Sequence, residues 1–232
     1  MATRKQRPIQ ATLPFRQRGG ARKGAGRKPK GERAGVPHRI RAIHAARQPA
    51  HVTVKLRQSL PRLRRGPEYA ALRAAFASGS DRFGCRLIQF AVLNDHLHLL
   101  VEAEDRNSLR RGIQGLLIRI ARALNKLWAR RGKVFADRYH DRALRSPKEV
   151  RRALVYVLAN GRKHAAAGRA VNVPQPIDVF TSAPWFDGFR ETFTVRGLSA
   201  VVRPVADART WLLRVGWRRL GLLSVHELPA TA

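Results

Sequence analysis

The stretch CRLIQFAVLNDHLHLLVEA, residues 85–103, decides the fold. Two apolar runs, 85–93 and 96–104, flank Asn94-Asp95, a pair suited to a tight turn, so the segment reads as a β-hairpin. Side chains alternate faces along a strand. Leu97, Leu99 and Val101 therefore share one side, and His96 and His98 stand together on the other. Two imidazoles at this spacing can share one metal ion, or they can be partly exposed strand histidines with no such role.

Outward from the hairpin, HVTVKL (51–56) alternates and is rich in β-branched residues, which predicts a first strand. GPEYAALRAAFAS (66–78) has Pro and Glu at its front and Ala and Leu through its body, which predicts a helix. After the hairpin, Leu109, Ile113, Leu116, Leu117, Ile120, Leu124 and Leu127 keep the 3–4 spacing of a long helix, with Asn107 or Ser108 as its cap. Residues 132–145 form a loop leading into a short fourth strand. In SPKEVRRALVYVLANGRKH (146–164), Ser146 is an N-cap, Pro147 sits at the first helical position, and Glu149 completes a capping box. The order β-α-β-β-α-β with one further helix predicts an α+β, ferredoxin-like split sheet with helices on one face. That fold by itself carries no function.

Residues 1–47 hold fourteen Lys and Arg against Glu32 alone. With so little apolar content they cannot offset the entropy of ordering, and they are expected to be a disordered basic tail that binds phosphates generally. The sequence thus divides into this tail, a folded domain over 48–166, and a Pro-rich extension over 167–232 with a helix at 209–223. Formal charge is +32, from 47 Lys and Arg against 15 Asp and Glu. Such an excess points to a polyanionic partner, nucleic acid first, with an anionic membrane surface or a ribosomal site sharing the same chemistry. No apolar run is long enough to span a bilayer and no signal-peptide pattern opens the chain, so a cytoplasmic protein is expected. The single Cys85 excludes a disulfide framework and a cysteine-based zinc site.

Among candidate functional residues, Arg110, Arg111, Arg119 and Arg122 on the long helix can track phosphates. Tyr156 and Asn160, four residues apart, fall on one flank of the last helix.

Three elements in order carry a resemblance. They are His96-Leu97-His98, the segment Phe135-Ala136-Asp137-Arg138-Tyr139, and Tyr156-Val157-Leu158-Ala159-Asn160. Over roughly residues 50–166 they resemble the single-tyrosine HUH transposases, most closely the REP-associated tyrosine transposases and insertion-sequence transposases. The resemblance implies that His96, His98 and the Asn160 amide oxygen hold a divalent ion, Mg²⁺ or Mn²⁺. It implies Tyr156 as the nucleophile, leaving a 5′-phosphotyrosine and a free 3′-hydroxyl. It further implies single-stranded hairpin DNA as the substrate and a monomer or homodimer. Arg138 and Tyr139 would contact nucleic acid or, for Tyr139, pack. One departure is Asn160-Gly161, where the family usually writes Asn-Pro. Histidine-triad hydrolases also alternate histidines on a strand, but they need a third where this chain has Leu100. The remaining alternative is a catalytically silent nucleic-acid-binding protein with the same fold and charge.

Overall fold

The computed structural model describes residues 43–162, 177–195 and 198–229, all within a unit spanning Val36–Ala232. Most of the basic tail lies outside the described residues, but its end does not: His44 is buried.

The elements follow the sequence pattern closely. They are β1 Ala50–Lys55, α1 Gly66–Gly79, β2 Asp81–Arg82, β3 Cys85–Val92, β4 His96–Ala103, α2 Arg106–Leu127, β5 His140–Ala143 and α3 Pro147–Leu158. The five strands form one sheet in the order β2-β3-β4-β1-β5, with every neighbouring pair antiparallel. Apart from the two-residue β2, this is the ferredoxin-like arrangement expected from the element order. The hairpin turns where Asn94-Asp95 predicts it, closed by the Leu93 N–H donating to the His96 carbonyl at 2.9 Å.

Alternation sorts the sheet into two faces. Val52 and Val54 of β1, Phe90 and Val92 of β3, and Leu97, Leu99 and Val101 of β4 form one core with Leu72 and Phe76 of α1 and Leu109, Ile113, Leu116, Ile120 and Leu124 of α2. Each of these fully buried side chains is worth about 1.5–3 kcal/mol relative to exposure. The expectation of helices on one face holds for the two crossover helices α1 and α2. It does not extend to α3, which lies across the opposite face. There Val150, Leu154, Val157 and Leu158 pack with Ile88, Ala91 and Leu100 of the sheet. The apolar stripe of α3 needs an apolar surface, and the side already covered by α1 and α2 offers none.

The extension shares this second core. Ile177, Leu212, Leu213, Trp217, Leu223 and Val225 are buried within it. Its segment 178–182 also runs along the open edge of β3: the Val92 N–H donates to the Phe180 carbonyl at 2.9 Å, and the Ser182 N–H to the Phe90 carbonyl at 3.0 Å. Covering an edge in this way removes a pairing site for other chains.

Two local expectations are corrected. The cap of α2 is Asp105, whose carboxylate accepts from the Ser108 N–H at 2.6 Å, so Ser108 is the partner rather than the cap. Residues 209–223 form two short pieces instead of one helix, α4 at Trp211–Arg214 and a 3₁₀ turn at Gly216–Leu220. They part at Val215, and a Cβ on the following Gly216 would press on the Trp211 ring. No helix among the described residues is long and apolar enough to cross a membrane.

Candidate active site

The sheet register assembles one face residue by residue. Across β4 and β1, His96 stands opposite Lys55, His98 opposite Thr53, and Leu100 opposite His51. Across β1 and β5, Thr53 stands opposite His140 and His51 opposite Arg142. Directly opposed residues of antiparallel strands project to the same side. His96, His98, His51, Thr53, Lys55, His140 and Arg142 therefore share the face that α3 crosses.

Tyr156 reaches this face from α3. Its ring centroid is 5.0 Å from that of His98 and 5.7 Å from that of His51, both edge-on. The His96 and His98 rings are 4.9 Å apart and perpendicular. The tyrosine and the histidine pair are thus neighbours within a single chain.

Each histidine is fixed through Nδ1. His96 Nδ1–H donates to Asp95 Oδ1 at 2.7 Å. His98 Nδ1 lies 3.2 Å from both His51 Nε2 and Thr53 Oγ1. Histidines that ligate metals are commonly oriented through their second ring nitrogen in this way, which presents Nε2 to the ion. Burial would raise the Asp95 pKa, but the hydrogen bond and charge of His96, with Lys55 nearby, hold it below the usual carboxylate range. His51 is pushed down to about 4 by burial, with the charges of Arg142 and His140 adding, so it is neutral at neutral pH.

Asn160 departs from the helical-wheel expectation. The helix stops at Leu158, and Ala159 is a turn residue at φ −108° and ψ 11°. Asn160 starts a further helical turn and is fully buried instead of lying on the flank beside Tyr156. Both of its amide atoms are buried with no hydrogen-bond partner among the described residues, an arrangement that costs about 1–3 kcal/mol unless something satisfies it. A short chain of contacts relates it to the hairpin. A Cβ on Gly161 would overlap the Asp178 carboxylate. Asp178 forms a buried, two-pronged ion pair with Arg64 at 2.8 and 2.9 Å. Arg64 also donates to the Val92 carbonyl at 3.1 Å, and Val92 pairs with Leu97, the residue between the two histidines.

The same contact explains Asn160-Gly161: only a residue without Cβ fits against Asp178. Gly161→Ala is expected to cost about 1–3 kcal/mol by overpacking, read as a lower urea midpoint at unchanged slope.

His96 and His98 share one face, and the Asn160 amide is orphaned among the described residues. The chemistry of these donor types suits a divalent ion, whereas no group of three His, Cys, Asp or Glu among the described residues can hold one. Glu102 and Asp105 do not contribute. Asp105 caps α2. Glu102 is fully buried and accepts from Arg86, the Arg209 and Thr210 backbone N–H groups and the Thr210 hydroxyl.

The other candidate residues lie elsewhere. Arg110, Arg111 and Arg122 are exposed and Arg119 is half-buried on α2, in the layer on the far side of the sheet from the histidines. Arg110 and Arg138 line a cavity of about 760 Å³ between α2 and the loop before β5. Tyr139 is 7% exposed, belongs to the first core and borders the same cavity. What residue-by-residue reading missed is His51, Lys55, Arg142 and Arg152. The alternation of HVTVK groups His51, Thr53 and Lys55 on one face, but only the register shows that His98 shares it.

Residues 50–149 match the protein family described as "Transposase IS200 like". Among solved structures, the chain is similar to a REP-associated tyrosine transposase bound to a REP hairpin, at 18% identity and a TM-score of 0.46, covering 56% of this chain and 74% of that one. It is also similar to a proposed transposase from Deinococcus radiodurans R1, at 12% identity and a TM-score of 0.37, covering 60% of this chain and 99% of that one. No curated protein matches the chain.

Proposed function

We propose, given the match of residues 50–149 to the IS200-like transposase family, that this chain cuts and rejoins single-stranded hairpin DNA through Tyr156. The observation that carries the reading is the Tyr156 ring 5.0 Å from the His98 ring, on the face that also bears His96.

The Tyr156 oxygen forms a bond to the scissile phosphorus as the bond to the 3′-oxygen breaks. The phenol loses a proton and the leaving 3′-oxygen gains one, so the products are a 5′-phosphotyrosine and a 3′-hydroxyl. The new link is still a phosphodiester. A second 3′-hydroxyl can therefore reverse the step and join a strand with no nucleotide cofactor. A phenol is a weak nucleophile until its proton is removed, so a cation or a neighbouring base must activate it. Held by His96, His98 and Asn160, a divalent cation would supply Lewis-acid charge at the phosphate. His51 and Thr53 orient His98, and Asp95 orients His96. Tyr156 lies beside histidines of its own chain, which supports a site complete in one chain whether the protein acts as a monomer or a homodimer. Its expected place is the cytoplasm, with the DNA.

The test is capture of a covalent protein–DNA adduct on labelled single-stranded hairpins taken from the flanks of the chain's own gene. An adduct is expected with Mn²⁺ and to be absent in EDTA. Imidazole nitrogen is a poor donor for hard Mg²⁺, so Mn²⁺ is expected to support the adduct at lower concentration than Mg²⁺. Tight hairpin binding with no adduct under any metal would favour the silent binding protein instead.

A further inference from the structure

Resting on that reading, one question remains open in the fold: how the strand reaches Tyr156. The long-helix arginines stand on the far side of the sheet, so they do not line this face. A cavity of about 730 Å³ does, with His51, Arg142, Arg151, Arg152 and Tyr156 in its wall.

Its charges are not equivalent. Arg151 is spent on structure, bound by both nitrogens to Glu227 at 2.6 and 2.9 Å and donating to the Gly221 carbonyl. Glu149, the other acid in the wall, accepts from the Arg145 backbone N–H at 2.6 Å. Among the described residues, Arg142 has a long 3.7 Å contact to Glu149, with its side chain 63% exposed. Arg152 is exposed. Two guanidinium groups thus open onto a groove that has the candidate nucleophile in its wall. Lys55 marks the other end of the same face. It is exposed beside His96, and its place in β1 is four residues from His51, roughly 13 Å along the strand.

We propose that the scissile single strand crosses this face, its phosphates held by Arg142 and Arg152 on the β5 side of Tyr156 and by Lys55 on the His96 side. Arginine suits the groove because its planar fork meets phosphate oxygens in pairs.

The experiment measures binding apart from cleavage. Full-length Tyr156→Phe protein is titrated onto a fluorescein-labelled oligothymidine of about twelve nucleotides, followed by anisotropy across a salt series. Each lost phosphate contact lowers the slope of log K against log salt by about 0.7 for a single strand. Adding Arg142→Gln with Arg152→Gln is expected to lower the slope by about 1.4, and Lys55→Gln by about a further 0.7. The pair Arg111→Gln with Arg122→Gln is expected to leave it in place. An unchanged slope in the groove variant, or an equal fall in the long-helix variant, overturns the proposal. Arg152→Glu alone gives a second reading should the double variant lose its thermal transition: binding then falls, or the proposal does. An adduct persisting in Tyr156→Phe would overturn the nucleophile and leave the groove result standing, so the two failures are distinguishable.

Discussion

Tyr156→Phe removes the covalent DNA adduct, a loss of at least about 10⁴-fold for an essential nucleophile, while the fold and hairpin binding stay intact. The substitution keeps the ring that packs edge-on against His98 and His51 and deletes only an oxygen on a half-buried side chain. Neither of the other two tyrosines can take its place. Tyr139 is buried in the first core, on the other side of the sheet from the histidines. The Tyr69 phenol is pushed well above its ordinary pKa by burial, with Asp178 adding and Arg73 and Arg64 opposing, and its hydroxyl faces the Thr181 carbonyl at 3.4 Å. The check is a denaturing gel of labelled hairpin with wild type and with each Tyr→Phe variant. An adduct that survives Tyr156→Phe and disappears in Tyr69→Phe would sink the assignment.

Glu102→Ala is expected to produce the largest loss of stability, about 3–5 kcal/mol, against a total of about 5–15 kcal/mol for a typical domain. The carboxylate binds the Arg86 guanidinium at 2.9 Å, where the side chains are 9% and 0% exposed. It also accepts two backbone N–H groups and the Thr210 hydroxyl at 2.8–3.1 Å. Truncation strands a buried positive charge and three donors together. The loss would appear in urea denaturation. It would also appear in hydrogen exchange, where the amides of Arg209 to Leu213 should open well before those of β3 and β4. Uniform loss of protection across the sheet would show that Glu102 supports the whole fold instead of one junction.

Much of this fold was legible because its signals are local. Asn94-Asp95 sets the hairpin, and Ser146, Pro147 and Glu149 set the start of α3, where the Ser146 hydroxyl accepts from the Glu149 N–H at 3.2 Å. The placing of His96 beside His98 follows from strand alternation alone. What escaped depends on partners distant in sequence. That Thr53 and His51 brace His98 is a matter of register between strands some 45 residues apart. The break after Tyr156 accompanies the approach of Gly161 to Asp178, which no helical wheel contains. The anchoring of Glu102 likewise depends on the Arg209 and Thr210 amides, 107 and 108 residues away, a contact that no local pattern contains.

The sharing of the second core by residues 177–229 means that the folding unit and the recognisable unit have different boundaries. A fragment cut to the family match would lack nearly all of α3, with Tyr156, and also Leu212, Leu213 and Trp217, which share the second core with Ile88 and Leu100. Even a fragment extended through Asn160 would keep every residue assigned to chemistry and still expose the apolar side of α3 that the extension covers, a surface prone to self-association. Drift in the extension is therefore constrained by a sheet whose chemistry it does not perform. Across related chains, substitutions at Leu212 and Trp217 should be tied to those at Leu100 and Ile88.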